Sequence, residues 1–195
     1  MSSRPATKPA DAYHHGDLRR ALLDAAMGVL EEDPGASLSM RDLARRLGVS
    51  HQAPYHYFRD RDALLKALGD AAIGDLLAAQ QQAVAAQTDP RERLIALGTA
   101  YVDFAATRPR AFELVFDARL CPPDAPSPGR APLIRANEDL LGRCIADLCA
   151  TGWRPGADVE ATALAMWGTA HGLASLVMGG HIPREAIDGV LRQVV

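Results

Sequence analysis

The segment from residue 39 to 68, SMRDLARRLGVSHQAPYHYFRDRDALLKAL, constrains this chain more than any other stretch. Ser39 is placed to satisfy a free backbone N–H of a first helical turn. Leu43, Ala44 and Leu47 then share one helical face, and Ala44 is small where two helices would cross. Gly48 stands just past the last periodic residue, where a left-handed backbone ends a helix and a Cβ is penalised. Val49 turns back toward a core, and Ser50 is expected to cap a second helix from His51 to about Tyr57. On that helix Pro54, Tyr57 and Phe58 point inward at helical spacing, while His51, Gln52, Tyr55 and His56 point outward. Asp60 caps a third helix, and Arg61 sits beside its start.

A helix, a sharp turn, a short second helix and a basic start to a third form the geometry that pushes one helix into the DNA major groove. The four outward side chains all hydrogen-bond, and glutamine can pair with an adenine edge. Arg61 and the free N–H groups of its helix make a phosphate clamp. Ser50 joins them as a candidate contact at the entry of the reading helix. An ordinary α-hairpin with no ligand is the alternative. Caps, small residue, turn glycine and basic flank all sit in one register, which favours the DNA reading.

The segment 39–68 resembles the DNA-binding domain of the tetracycline-repressor (TetR) family of bacterial transcription regulators. The likeness extends back over 17–30, that family's first helix, and forward to AMWGTAHGLASL at 165–176. The latter is similar to a Trp–His–Gly motif of one subgroup, carried here by Trp167, His171 and Gly172. The resemblance implies operator contacts at Ser39, Arg41, His51, Gln52, Tyr55, His56 and Arg61. It also implies a C-terminal domain whose small-molecule ligand shifts the spacing of two reading heads and releases DNA. Arg61 stands where lysine is usual, and Pro54 replaces the usual aliphatic residue, so the tilt of the reading helix departs from the common pattern.

The chain has 195 residues, 48% of them hydrophobic, enough for sizeable cores. Its net charge of −3 argues against unspecific coating of nucleic acid. The balance is uneven: residues 1–66 carry 10 basic and 9 acidic side chains, and residues 67–195 carry 11 and 15. That asymmetry has the sign expected if DNA meets the N-terminal part. Cys121, Cys144 and Cys149 lack C-x-x-C spacing, so buried reduced thiols are expected, with a redox sensor as the alternative. The polar start MSSRPATKPADAYHHGD does not look like a signal peptide, which points to a cytoplasmic protein. It reads as a flexible arm over 1–13, in which Arg4 and Lys8 could graze a minor groove.

Helical periodicity fills the remainder, giving an all-α fold of about nine helices. A three-helix DNA-binding domain is expected over 14–68 and a larger effector-binding and dimerisation domain over 69–195. Leu18, Ala21, Leu22, Ala25, Ala26, Val29 and Leu30 line a first helix, with Asp17 a possible cap. A long helix runs from Asp60 to about Gln82, Pro90 opens another, and Thr107-Arg108-Pro109 breaks it before a shorter one. Residues 121–132 hold five prolines and read as a loop, followed by a helix from Leu133 to Cys149.

Residues 161–183 contain no Asp, Glu, Lys or Arg. His171, two threonines, a serine and four glycines make the run too polar for a membrane span, so a helix buried on all sides is expected. A domain this size hardly surrounds one helix alone. A second subunit is therefore expected over Gly168, Gly172 and Gly179, with Ile187, Val190, Leu191 and Val194 of a last helix, as a homodimeric four-helix bundle. Two reading heads would then fit a near-palindromic operator with half-sites about 34–36 Å apart, or a multiple. Tyr101, Phe104, Phe112, Phe116, Trp167, His171 and Met178 are candidates to line a pocket for a neutral, largely apolar effector, or else form an ordinary core. No catalytic, cofactor or metal motif appears, although a helical enzyme and an effector-independent DNA-binding regulator stay open as alternatives.

Overall fold

The computed structural model describes residues 15–33 and 37–195, and the expected arm with Arg4 and Lys8 lies outside them. Within them lie eight α-helices and two short 3₁₀ turns. The helices are α1 (His15–Glu32), α2 (Met40–Arg46), α3 (Arg61–Ala85), α4 (Pro90–Thr107), α5 (Pro109–Phe116), α6 (Arg130–Cys149), α7 (Val159–Met178) and α8 (Ile187–Val194). The 3₁₀ turns span Ala53–His56 and Arg184–Ala186. The fold is all-α as the periodicity indicated. Among the described residues no helix is long and apolar enough to cross a membrane.

Three differences from the sequence reading have local causes. Asp17 lies inside α1 rather than before it. The proline-rich loop ends earlier than expected, because α6 begins at Arg130 and takes Pro132 into its first turn, where a missing N–H costs nothing. The expected second helix, His51–Tyr57, is instead a turn followed by one four-residue 3₁₀ segment. In an α-helix Pro54 would donate to the Ser50 carbonyl, but it has no N–H. Ala53 donates to Ser50 O instead at 3.0 Å, and Tyr57 to Pro54 O at 3.0 Å, both tight bonds. The Ser50 side chain therefore does not cap; Gln52 holds the cap position without a side-chain bond.

α3 is the element shared by both halves. Asp60 caps it by accepting from Ala63 N at 2.8 Å. Leu64, Leu65, Leu68, Ala72, Ile73, Leu76, Leu77 and Val84 recur at three- and four-residue steps and are all buried. Its first turns pack with α1, and further along it meets α4, α5 and α6. A three-residue connection then leads to Asp89, whose carboxylate accepts from Arg91 N and Glu92 N, and to Pro90 at the first position of α4. α4 runs through the middle of the C-terminal bundle, against α3, α6, α7 and α8.

One polar junction ties three of these helices. Arg130, 4% exposed, pairs with Asp70 of α3 at 3.3 Å and donates to the Val115 carbonyl at the end of α5. Ser127 Oγ donates to the same Asp70 at 3.1 Å. Gly69 lets α5 approach: an added Cβ there would stand 2.8 Å from the Leu114 carbonyl oxygen. At Gly74, one turn on, the nearest atom would be Leu133 Cδ1 at 3.9 Å, an ordinary contact.

That contrast yields a paired prediction. Gly69→Ala forces backbone apart and should destabilise by about 1–3 kcal/mol. Gly74→Ala should be neutral or gain up to about 1 kcal/mol from helix propensity. Urea denaturation followed by circular dichroism measures both; equal stability of the two variants would contradict the close approach of α5 to α3.

Candidate nucleic-acid interface and aromatic cluster

α2 is capped at Ser39, whose Oγ accepts from Asp42 N at 3.3 Å. After α2 the chain reverses through Gly48 at φ +66°, the left-handed region where glycine carries no Cβ penalty. Pro54 and Phe58 are buried beneath the short 3₁₀ turn, and Tyr57 packs partly against the same core. That anchoring leaves His51, Gln52, Tyr55 and His56 on the outside, all exposed. The inward and outward sets are those read from the sequence, although the helix between them is tighter.

Arg41 of α2 joins His51, Gln52 and Tyr55 around an open cleft of about 530 Å³. Tyr55 is 46% exposed, its ring open to the cleft. The cations around this face divide into two groups. Arg45 pairs with Asp42 at 2.8 Å, Arg46 with Glu32 at 3.5 Å, and Arg59 with Asp60 at 2.8 Å. Arg41 and Arg61 have no carboxylate partner among the described residues, and both are exposed. They are the arginines left free to meet phosphate. Ser50 is exposed beside them, whereas Ser39 is half-buried and engaged in its cap.

Asp60 sets where α3 begins and hence where Arg61 stands. The Ala63 N–H, then Arg59, hold its carboxyl below the usual aspartate range. Its folded pKa is lowered, so the stability it contributes is present above the ordinary value and fades as pH falls through the lowered one.

In the C-terminal half, α4, α5 and α7 bring five of the seven proposed pocket residues together. Tyr101, Phe112, Phe116, Trp167 and His171 form a continuous aromatic cluster with ring centroids 4.8–6.4 Å apart. Tyr101 Oη lies 2.8 Å from His171 Nδ1, and Trp167 Nε1 donates to Tyr101 Oη at 3.3 Å. Burial pushes the Tyr101 hydroxyl pKa well up. Phe104 and Met178 do not join. Phe104 is buried elsewhere on α4 with Arg108 over its ring at 5.2 Å, and Met178 packs partly against the core near the end of α7. The spacing that put Phe104 near Tyr101 left it on the neighbouring side of α4.

Within one chain the helix α7 keeps an open side: Leu164 is 66% exposed, Trp167 45% and Leu176 42%. Gly168, Gly172 and Gly179 lie along the same open side. The sequence reading passed over Leu164 and Leu176, although both fall at helical spacing from Gly168 and Gly172. Ile187 and Leu191, by contrast, are buried in their own subunit, because Leu191 fills the groove left by Gly98 of α4. Val190 and Val194 are half-buried. The three cysteines are free, and burial pushes the thiols of Cys121 and Cys144 up, away from reactive thiolate. Among the described residues no cluster of three or more His, Cys, Asp or Glu could hold a metal.

Two family models match. One described as bacterial regulatory proteins, tetR family, covers residues 22–68. The other, the tetracyclin repressor-like C-terminal domain, covers 94–195. The HTH-type transcriptional regulator BetI of Burkholderia ambifaria is 38% identical over 89 residues, 45% of this chain and 46% of that protein. The chain thus spans about half the length of the curated relatives it matches. A protein of unknown function from Rhodococcus sp. RHA1 has the same fold at TM-score 0.80 and 36% identity, over 95% of both chains. FadR from Bacillus subtilis in complex with stearoyl-CoA superposes at TM-score 0.68 and 16% identity, over 90% of this chain and 97% of that one.

The cleft gives a direct test. Tyr55→Ala removes a side chain that supports no core packing, so helicity and melting temperature should hold. Duplex affinity measured by fluorescence anisotropy should fall at least tenfold, about 1.4 kcal/mol. Unchanged binding would remove this face as the interface.

Proposed function

Because the chain belongs to the TetR family of DNA-binding transcriptional regulators, not to an enzyme family, we propose that it is a repressor. It binds a near-palindromic operator as a homodimer in the cytoplasm and is released by a small, largely apolar effector. The observation that carries this reading is the cleft lined by Arg41, His51, Gln52 and Tyr55, with His56 and Arg61 also exposed and neither Arg41 nor Arg61 paired with a carboxylate among the described residues. Phosphate contacts from the arginines fix register, and the polar quartet reads base edges. Arg41, Ser50 and Arg61 are assigned to DNA with them, and Ser39 acts by holding the start of α2.

One reading head grips too few base pairs to find a single genomic site, and a twofold axis doubles the contacts. The open face of α7 supports that axis. Leu164, Gly168, Gly172 and Leu176 make an uncharged stripe whose glycines let two helix backbones come close, with Val190 and Val194 of α8 at its margin. Ile187 and Leu191 are excluded from the interface, since they are already covered. Trp167, His171 and Gly172 support membership of the Trp–His–Gly subgroup. The aromatic cluster is the effector site, reached by α5 and α7 together. The unrelated-sequence FadR neighbour, which holds stearoyl-CoA, supports only that this architecture tolerates a bound small molecule.

Light scattering at micromolar concentration should give twice the 20.8 kDa chain mass. Leu164→Glu should yield folded monomers, since its side chain is mostly solvated in the single chain, and operator affinity should drop by tenfold or more. A monomeric wild type, or a dimeric Leu164→Glu variant, would reject this interface. Apolar compounds added to the preformed operator complex should lower anisotropy and raise the melting temperature of the free protein; a complex indifferent to all of them points to an effector-independent regulator.

A further inference from the structure

The aromatic cluster carries more information than its apolar character. Trp167 Nε1–H can only donate, and its acceptor is Tyr101 Oη. Tyr101 keeps its proton, because burial raises its pKa. That proton needs an acceptor, and His171 Nδ1 is the one within reach, at 2.8 Å. The geometry is that of a relay from Trp167 through Tyr101 to His171, which assigns the imidazole proton to Nε2. No side chain among the described residues accepts from Nε2. The buried side-chain atoms left without partners are Gln80 Oε1 and Thr99 Oγ1, so Nε2 of the part-buried His171 keeps contact with solvent.

The surroundings of that donor are flat and uncharged. Phe112 stacks on the imidazole at 5.5 Å and 28°, and Phe116 meets it edge-on at 4.8 Å. Phe116, 39% exposed, and Trp167, 45% exposed, stand with centroids 6.4 Å apart. Phe116 and Trp167 are the exposed rings of the cluster, so a ligand can seat on their open side. This rim is set apart from the Leu164–Gly168–Gly172 stripe by its unpartnered N–H, which a purely apolar helix contact from a second copy would leave unsatisfied.

We propose that this rim binds a neutral, flat molecule bearing a hydrogen-bond acceptor such as a carbonyl oxygen. Phe116 and Trp167 pack against its plane, and His171 Nε2–H donates to its oxygen. A cation would face the positive end of the N–H dipole, and an anion would be desolvated against rings with no countercharge in the cluster. The proposal rests on the effector reading above and names the chemical class of its ligand.

The full-length protein is titrated calorimetrically with 2-acetylnaphthalene and with three matched probes: 2-ethylnaphthalene, 2-naphthoate and (2-naphthylmethyl)trimethylammonium. The indole N–H signal of Trp167 reports location, assigned through Trp153→Phe, since the chain has two tryptophans. Nitrogen-15 spectra of the histidines report the tautomer, with His171→Phe identifying the signal. The acetyl compound should bind about fivefold tighter than the ethyl compound, the worth of one modest hydrogen bond. It should shift Trp167 and bind tighter than either charged probe. Tyr101→Phe and His171→Phe should each bring the acetyl-to-ethyl ratio close to one.

Equal affinity for the acetyl and ethyl compounds, preference for a charged probe, or a proton found on Nδ1 of His171 would overturn the proposal. So would operator release by some other compound that leaves Trp167 unmoved, although effector release itself would then stand. Acetyl-selective binding at Trp167 without any operator release would uphold the site and defeat the release reading instead.

Discussion

The buried stripe of α3 is the constraint on which the other parts of the molecule depend. A helix of 25 residues is about 37 Å long, and this one is packed along its whole length. Its first turn carries Asp60 and Arg61 at the nucleic-acid face, while Leu76, Leu77 and Val84 lie in the C-terminal bundle. A packed helix transmits rotation and translation rather than absorbing them, because interiors have low compressibility. The cleft at Arg41 and Tyr55 is thus positioned by the bundle as well as by α1 and α2.

α5 makes a second tie between the halves. The Glu31 carboxylate of α1 accepts from the Arg110 and Ala111 N–H groups, at 3.4 and 3.3 Å, satisfying donors that a helix start leaves open. At its other end the Val115 carbonyl accepts from Arg130, which also grips Asp70 of α3. Removing one partner of so buried a pair is costly, because it strands the other charge. The same eight-residue helix carries Phe112 and Phe116 of the aromatic cluster. Movement of those rings therefore loads contacts with α1 and α3 directly.

Much of this was legible in the sequence, and the failures are instructive. Caps at Ser39 and Asp60, the reversal at Gly48 and the helix start at Pro90 follow from local chemistry, and the structure has them all. The inward and outward faces around Tyr55 also survived, since side-chain direction there is set by Pro54 and Phe58 reaching the core. The helix type did not survive, although its cause was visible: proline at the one position whose N–H an α-helix needs for Ser50. Ile187 and Leu191 misled for a different reason. Periodicity says that a face is covered, not whose residues cover it, and the groove at Gly98 becomes apparent only when α4 and α8 meet. Arg130 was hidden altogether, because a lone arginine at the end of a proline-rich loop carries no sign of the carboxylate sixty residues earlier.

The aromatic cluster shows how far such reading can go. Its five members come from three helices, and a list of rings cannot separate a pocket from an ordinary core. Hydrogen-bond accounting adds direction. The Trp167–Tyr101–His171 relay is satisfied within the chain at every member but its last, and that last donor is open to water or to a ligand. Phe116 and Trp167 remain exposed beside it. A directed donor on a half-open aromatic wall has a physical reason when something outside the chain completes it.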